Sequence, residues 1–167
     1  RKRLTVLMTG DVLLHDGLWH DARLDAQRTG RGAMDFRPLL ANMRPAIHRA
    51  DLAICHLETP LAPAGGPLSG YPLFSAPPAI APALRWAGYD ACTTASNHTV
   101  DRGFDGIKRT IDDLDQAGIA HTGSFTNRRD AQGPLWLRIK GVEVVLISAT
   151  FGLNGLPLPD GRPWAVN

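Results

Sequence analysis

Three observations predict an α/β fold for this chain. Short apolar runs of strand length, Leu4 to Thr9 and Asp51 to Cys55 among them, alternate with segments whose apolar residues recur at helical spacing. Gly88 and Gly118 follow two of those segments, where a helix is expected to stop. The resulting order, β-α-α-β-α-β-α-β and then a hairpin, calls for a sheet whose crossovers are right-handed. A single domain over residues 1–167 is expected, and 44% hydrophobic content is enough to give it a real core.

The elements follow in chain order. Leu4 to Thr9 and Leu52 to Cys55 are nearly continuous apolar runs, as in strands covered on both faces by helices. Between them, His15 to Arg28 carries Leu18, Trp19, Ala22 and Ala26 at helical spacing, with Asp16 placed to cap the helix. Asp35-Phe36-Arg37-Pro38 opens a second helix, with Pro38 tolerated in its first turn and Leu39, Leu40, Met43 and Ile47 as its apolar stripe. The second strand delivers Glu58 into a Pro- and Gly-rich stretch, residues 59–78, which reads as a long structured loop. Tyr71 and Phe74 are its candidate contacts if it walls a cleft; otherwise they pin it to the surface. Ala79 to Ala87 is a short helix and Tyr89 to Ala95 the third strand. Phe104 to Ala117 is an amphipathic helix turning Ile107, Ile111 and Leu114 inward, and Ile119 to His121 is the fourth strand. Leu135 to Ile139 and Val142 to Thr150 flank Lys140-Gly141 as an antiparallel hairpin.

Charge and composition narrow the function. A net charge of +2, from 18 Lys and Arg against 16 Asp and Glu, is scattered along the chain, so no basic stripe points to nucleic acid. No G-x-G-x-x-G or P-loop supports a nucleotide-binding domain. Glu58 and Glu143 are the only glutamates, so Glu58 does not come from a generic Glu-rich surface. Cys55 and Cys92 read as small buried hydrophobes; a disulfide is the alternative, and neighbouring parallel strands seldom have the geometry for one. No stretch approaches the roughly 20 apolar residues of a membrane span, and Arg1-Lys2-Arg3 leads straight into the first strand without an apolar signal core.

In open parallel sheets ligands bind beyond the carboxyl ends of strands. Asp11, Glu58 and the pair Asn97-His98 all stand where a strand ends. Converging carboxylates repel unless a cation neutralises them, so this set suits a metal-assisted hydrolase. Each residue also has a structural alternative. Asp11 can cap a helix, Glu58 can pair with Arg37 or Arg85, Asn97 can turn the chain, and His98 can sit satisfied in the core. His56 is expected to pack or bond to backbone, His20 and His48 to be surface residues, and His121 to be structural. Thr94 and Ser96 read as turn formers, and Asp112, Asp113 and Asp115 as a solvated helix face.

Gly10-Asp11-Val12, His56-Leu57-Glu58, Asn97-His98 with Asp101 and Gly103, and Phe151-Gly152-Leu153-Asn154-Gly155 carry a resemblance, in that order along nearly the whole chain. They resemble the bacterial capsule poly-γ-glutamate synthesis, or CapA-like, family of the calcineurin-like metallophosphatase superfamily. The resemblance implies a metallophosphoesterase-like sandwich of two sheets flanked by helices, and two divalent ions, Mn, Zn or Fe. Asp11 would then bind one metal and Glu58 would bridge both, where most of the superfamily uses Asp. Asn97 would bind the second metal through its amide oxygen, and His98, oriented by Asp101, would act on the leaving oxygen.

Two departures qualify that picture. The superfamily places a histidine two residues after the aspartate, where this chain has Leu13, so either His15 substitutes as a metal ligand from the first helical turn or the first metal is under-ligated. The superfamily's other histidine ligands come from a C-terminal half beyond Asn167, so the chain looks truncated, an N-terminal portion with about half a metal site and little activity alone. The implied function is capsule or cell-envelope polymer synthesis by a metal-dependent hydrolase of phosphoester or related bonds. The alternative is a non-catalytic accessory that binds or guides an anionic polymer. Either would be extracytoplasmic and membrane-associated in a bacterium, through a tether absent from this sequence, and an exposed sheet edge makes a homodimer an expected partner.

Overall fold

A computed structural model describes residues 2–167. Strands β1 (Val6–Val12), β2 (Leu52–Leu57), β3 (Ala91–Thr93) and β4 (Ala120–Thr122) form one sheet in that spatial order, and every neighbouring pair is parallel. The crossovers hold α1 (Asp16–Thr29), α2 (Arg37–Leu40), α3 (Arg44–Arg49), α4 (Ile80–Ala87) and α5 (Gly103–Ala117). Strands β5 (Leu135–Ile139) and β6 (Val142–Leu146) pair antiparallel as a separate hairpin. The fold is therefore α/β, with a parallel four-stranded sheet flanked by helices.

Side-chain alternation along β2 explains the layering. Ala53, Cys55 and Leu57 pack with Trp19, Ile47, Leu84 and Leu114 from the helices. Leu52 and Ile54 turn the other way and meet Leu135, Leu137, Val144 and Leu146 of the hairpin. The β2 run is thus buried on both faces, as its composition implies. The β1 run is not: Val6 is 45% and Met8 64% exposed. They stand beside Leu52 and Ile54 on the face that the hairpin covers, but β1 is the edge strand and lies outside the hairpin's cluster. An apolar composition did not distinguish the edge from the centre.

Several expected boundaries move. The expected second helix breaks into α2 and α3, each with a proline in its first turn, because Pro45 cannot donate the bond that would carry one helix through. Leu39 and Met43 are consequently exposed, and Ile47 alone of that stripe is fully buried. His15, not Asp16, occupies the cap position of α1, with no side-chain cap bond, and Asp16 sits in the first turn. Strand three shortens to Ala91–Thr93 and strand six ends at Leu146. Cys55 and Cys92 are direct partners across β2 and β3, with Cα atoms 4.5 Å apart, and form a disulfide. The expectation of two free, buried thiols is corrected on that point: this register faces the two side chains toward one another. The glycine stops hold, since both Gly88 and Gly118 adopt the left-handed conformation at their helix ends.

Among the described residues no helix is long and apolar enough to cross a membrane.

Candidate functional site

The candidate site residues stand at or just beyond the carboxyl ends of β1, β2 and β3, and a bulge sets the first corner. Met8 pairs with Ile54 and Asp11 with His56, so Thr9 and Gly10 together face Cys55. That extra residue bends the strand and re-aims Asp11. Asp11 is exposed, and its carboxylate lies 4.0 Å from His56 Nε2. His56 in turn bonds through Nδ1 to Thr93 Oγ1 at 2.8 Å, which ties it to the neighbouring strand.

Glu58 follows β2 directly and is buried. It forms no ion pair with Arg37 or Arg85; Arg85 instead lies 3.9 Å from Asp90. Its Oε2 is buried without a hydrogen-bond partner. Burial pushes the Glu58 carboxyl above the usual glutamate range, and the nearby charge of Asp11 pushes it further, while His98 and His15 pull it back. Those opposing influences show that Asp11, Glu58, His15 and His98 share one electrostatic neighbourhood.

The third corner is a chain of turns after β3. The Ser96 N–H donates to Thr99 Oγ1 at 2.7 Å, and the Thr99 hydroxyl reaches the carbonyls of Thr94 and Ser96, both at 2.8 Å. This locks the turn that presents Asn97 and His98. His98 Nδ1 lies 2.7 Å from Asp101 Oδ2, an i,i+3 contact in which the imidazole is 9% exposed and the carboxylate fully buried. With Nδ1 donating to Asp101, Nε2 carries the lone pair of the neutral ring. Asn97 Oδ1 accepts from the Ser96 hydroxyl at 2.9 Å, which leaves its second lone pair free to meet a cation.

The loop over residues 59–78 is fastened to these turns chiefly around Phe74, with Arg102 also donating to the Leu73 carbonyl and the Ser69 hydroxyl. Asp101 Oδ2 accepts the Phe74 N–H at 2.8 Å, and Arg102 Nε donates to the Phe74 carbonyl at 3.0 Å. The Phe74 ring is wedged edge-on between His15, at 5.2 Å between ring centres, and His98, at 4.8 Å. Phe74 is 1% exposed, whereas Tyr71 is 78% exposed and away from any such packing. Across the cleft, Asn154 Oδ1 accepts from Asn97 at 3.2 Å, and its amide nitrogen lies 3.4 Å from His98 Nε2.

Sequence reasoning gave no role to Arg102 or Asn154. Nothing local marks Arg102, whose partners lie about thirty residues back in the loop. Asn154 did carry a signal: Asn154-Gly155 both have positive φ, 53° and 78°, the turn chemistry that an Asn-Gly pair announces. The remaining histidines are where the structural readings put them. His121 meets Asp115 at 3.1 Å, and His20 and His48 are exposed.

The donors test the metal expectation in part. Two carboxylates and a carboxamide are hard oxygen donors suited to a divalent ion, and an unpartnered buried Glu58 Oε2 is what a cation would satisfy. Among the described residues, however, no three His, Cys, Asp or Glu side chains converge closely enough to hold a metal as a group. Asp11, Glu58 and Asn97 offer oxygen atoms of the right chemistry, but the described residues form no closed ligand set.

Comparison with known proteins fits the order of these motifs. Two curated relatives from Sinorhizobium fredii (strain NBRC 101917 / NGR234), "Uncharacterized protein y4sH" and "Uncharacterized protein y4uA", are each 34% identical over 71 residues. That match covers 42% of this chain and 15% of the length of each relative. The pattern of the family described as "Bacterial capsule synthesis protein PGA_cap" matches residues 5–164, and the chain belongs to that family.

Proposed function

We propose that this capsule-synthesis chain contributes the Asp11, Glu58, Asn97 and His98 portion of a metal-dependent hydrolase site acting on a phosphoester or a related anionic bond. One observation carries the reading. A buried, unpartnered carboxylate with its proton affinity raised, an exposed carboxylate and a carboxylate-oriented imidazole meet at the strand ends. In such a site a bound divalent ion supplies a Lewis acid and a hydroxide at neutral pH. Asp11 and Glu58 would hold it, with the free lone pair of Asn97 Oδ1.

The chain's own residues then divide the work. Asp101 holds the His98 ring through Nδ1, which leaves Nε2 as the nitrogen that would exchange a proton with a leaving oxygen. Asn154 contacts both Asn97 and His98 and so couples the imidazole to the carboxamide. Phe74 excludes water from one side of the imidazole, which strengthens its pairing with Asp101. Membership of a capsule-synthesis family supports an envelope setting for the proposed reaction.

A second reading rests on the lack of a closed ligand set among the described residues. It makes the cleft a binding surface for an anionic polymer, without chemistry. Titration of the protein with Mn²⁺ and Zn²⁺ separates the two. Saturable binding that Asn97→Ala weakens supports the hydrolase; no binding supports the accessory.

A further inference from the structure

A second cleft, of about 790 Å³, opens between α1 and the 59–78 loop, and none of Asp11, Glu58, Asn97 or His98 lines it. Its volume lies within the range of small-molecule sites, about 300–1,000 Å³. Three of its lining residues, Asp16, Trp19 and Arg23, lie close to one line on α1, because steps of three and seven residues return to nearly the same helix face. Opposite them the walls are apolar, with Met34, Leu68 and Pro63.

The charges in this cleft are unused. Neither the Asp16 carboxylate nor the Arg23 guanidinium makes an ion pair or hydrogen bond among the described residues, although each has several possible donors or acceptors to offer. Between them Trp19 is 6% exposed, and its indole Nε1 is buried without an acceptor. The loop is shaped to Asp16 as well: a Cβ on Gly70 would stand 2.3 Å from Asp16 Oδ1.

We infer that this cleft binds a short zwitterionic peptide, with its α-ammonium on Asp16 and its terminal carboxylate on Arg23. Seven residues of helix separate the two charges by about 10 Å along the axis. Three extended residues span about that length. The middle residue then crosses Trp19, and small side chains meet the apolar wall of Met34, Leu68 and Pro63. A neutral sugar would leave both charges without counter-charges, and a polyanion would meet the Asp16 carboxylate. The site is separate from the strand-end cleft, and occupancy requires no metal.

Calorimetric titration with trialanine at pH 7, with EDTA present, tests this. Free trialanine should bind saturably, and the N-acetyl and C-amide forms should each bind about fivefold more weakly, the scale of one solvent-accessible ion pair. Asp16→Asn should abolish the effect of acetylation and leave that of amidation, and Arg23→Gln should do the reverse. Gly70→Ala, which keeps both charges but crowds Asp16, should weaken the free peptide and the amide more than the acetylated form. The wild-type series alone is decisive if a variant fails to fold. No saturable binding of trialanine, equal binding of the blocked forms, or tighter binding of a neutral tetrasaccharide such as cellotetraose would overturn the assignment.

Discussion

The strand-end site has a floor and a rim, and they are built differently. The floor is His98, Asp101 and Phe74, all buried and joined by short hydrogen bonds and ring contacts. The rim is Asp11 and His15, both exposed; of the two, His15 has the one packing contact, on Phe74. Floor residues are therefore held whatever occupies the cleft, whereas rim residues gain their partners from what binds there. A site so divided keeps its imidazole and its loop preorganised while its acidic side adapts to the incoming group.

If that contrast is right, mutations in the floor should cost stability and those in the rim should not. Phe74→Ala should cost the most, about 4 kcal/mol, because it opens a cavity between two histidines and loosens the loop. Asp101→Ala should follow at about 3 kcal/mol, since it leaves the buried Phe74 N–H and His98 without their acceptor. Asp101→Asn, which keeps an acceptor oxygen, should recover part of that loss. Denaturant unfolding of the three variants checks the order, and a Phe74→Ala loss below about 1 kcal/mol, the scale of an ordinary substitution, would show that the floor is not a packed unit.

Glu58 belongs to neither half and sharpens the comparison through pH. Its folded-state pKa is raised, by burial first and Asp11 second. A carboxyl so shifted gives stability that is fully present below its unfolded pKa and is lost as pH rises through the folded value. Toward neutral pH, without metal, Glu58 therefore opposes folding. Glu58→Gln should melt higher than wild type at pH 7, and the gap should close as the pH falls below the ordinary carboxylate range. Thermal melts across pH 3 to 8, roughly the span of carboxylate titration, provide the check. A gap that widens on acidification would mean that Glu58 is held by an attractive partner instead.

The strand-end placement of the site was legible in the residues, and its division into floor and rim was not. Asp11, Glu58, Asn97 and His98 could be placed at strand ends because apolar runs and glycine stops locate strands and helices well. Long-range closure was not legible. Asp101 and Arg102 grip Phe74 across 27 and 28 residues, a pairing that no local pattern encodes. The edge position of β1 was hidden for a related reason, since Val6 and Met8 have the composition of a buried strand and only tertiary pairing leaves them uncovered. Prolines misled in a local way: Pro38 suited a helix start, but Pro45 restarted the helix within one apolar stripe.

The smallest expected effect is the most telling for the rim. Asp11→Asn removes an exposed charge with one long contact, 4.0 Å to His56, so direct losses should stay within about 0.5 kcal/mol. The same change takes away the repulsion that raises the Glu58 carboxyl, which acts in the stabilising direction at pH 7. Asp11→Asn should thus melt at or slightly above the wild-type temperature without metal, and Asp11→Asn/Glu58→Gln should gain less than the sum of the two, because one repulsion cannot be relieved twice. Strict additivity in that double-mutant cycle would place the two carboxylates in separate environments, and with it would fall the shared strand-end site on which the hydrolase reading stands.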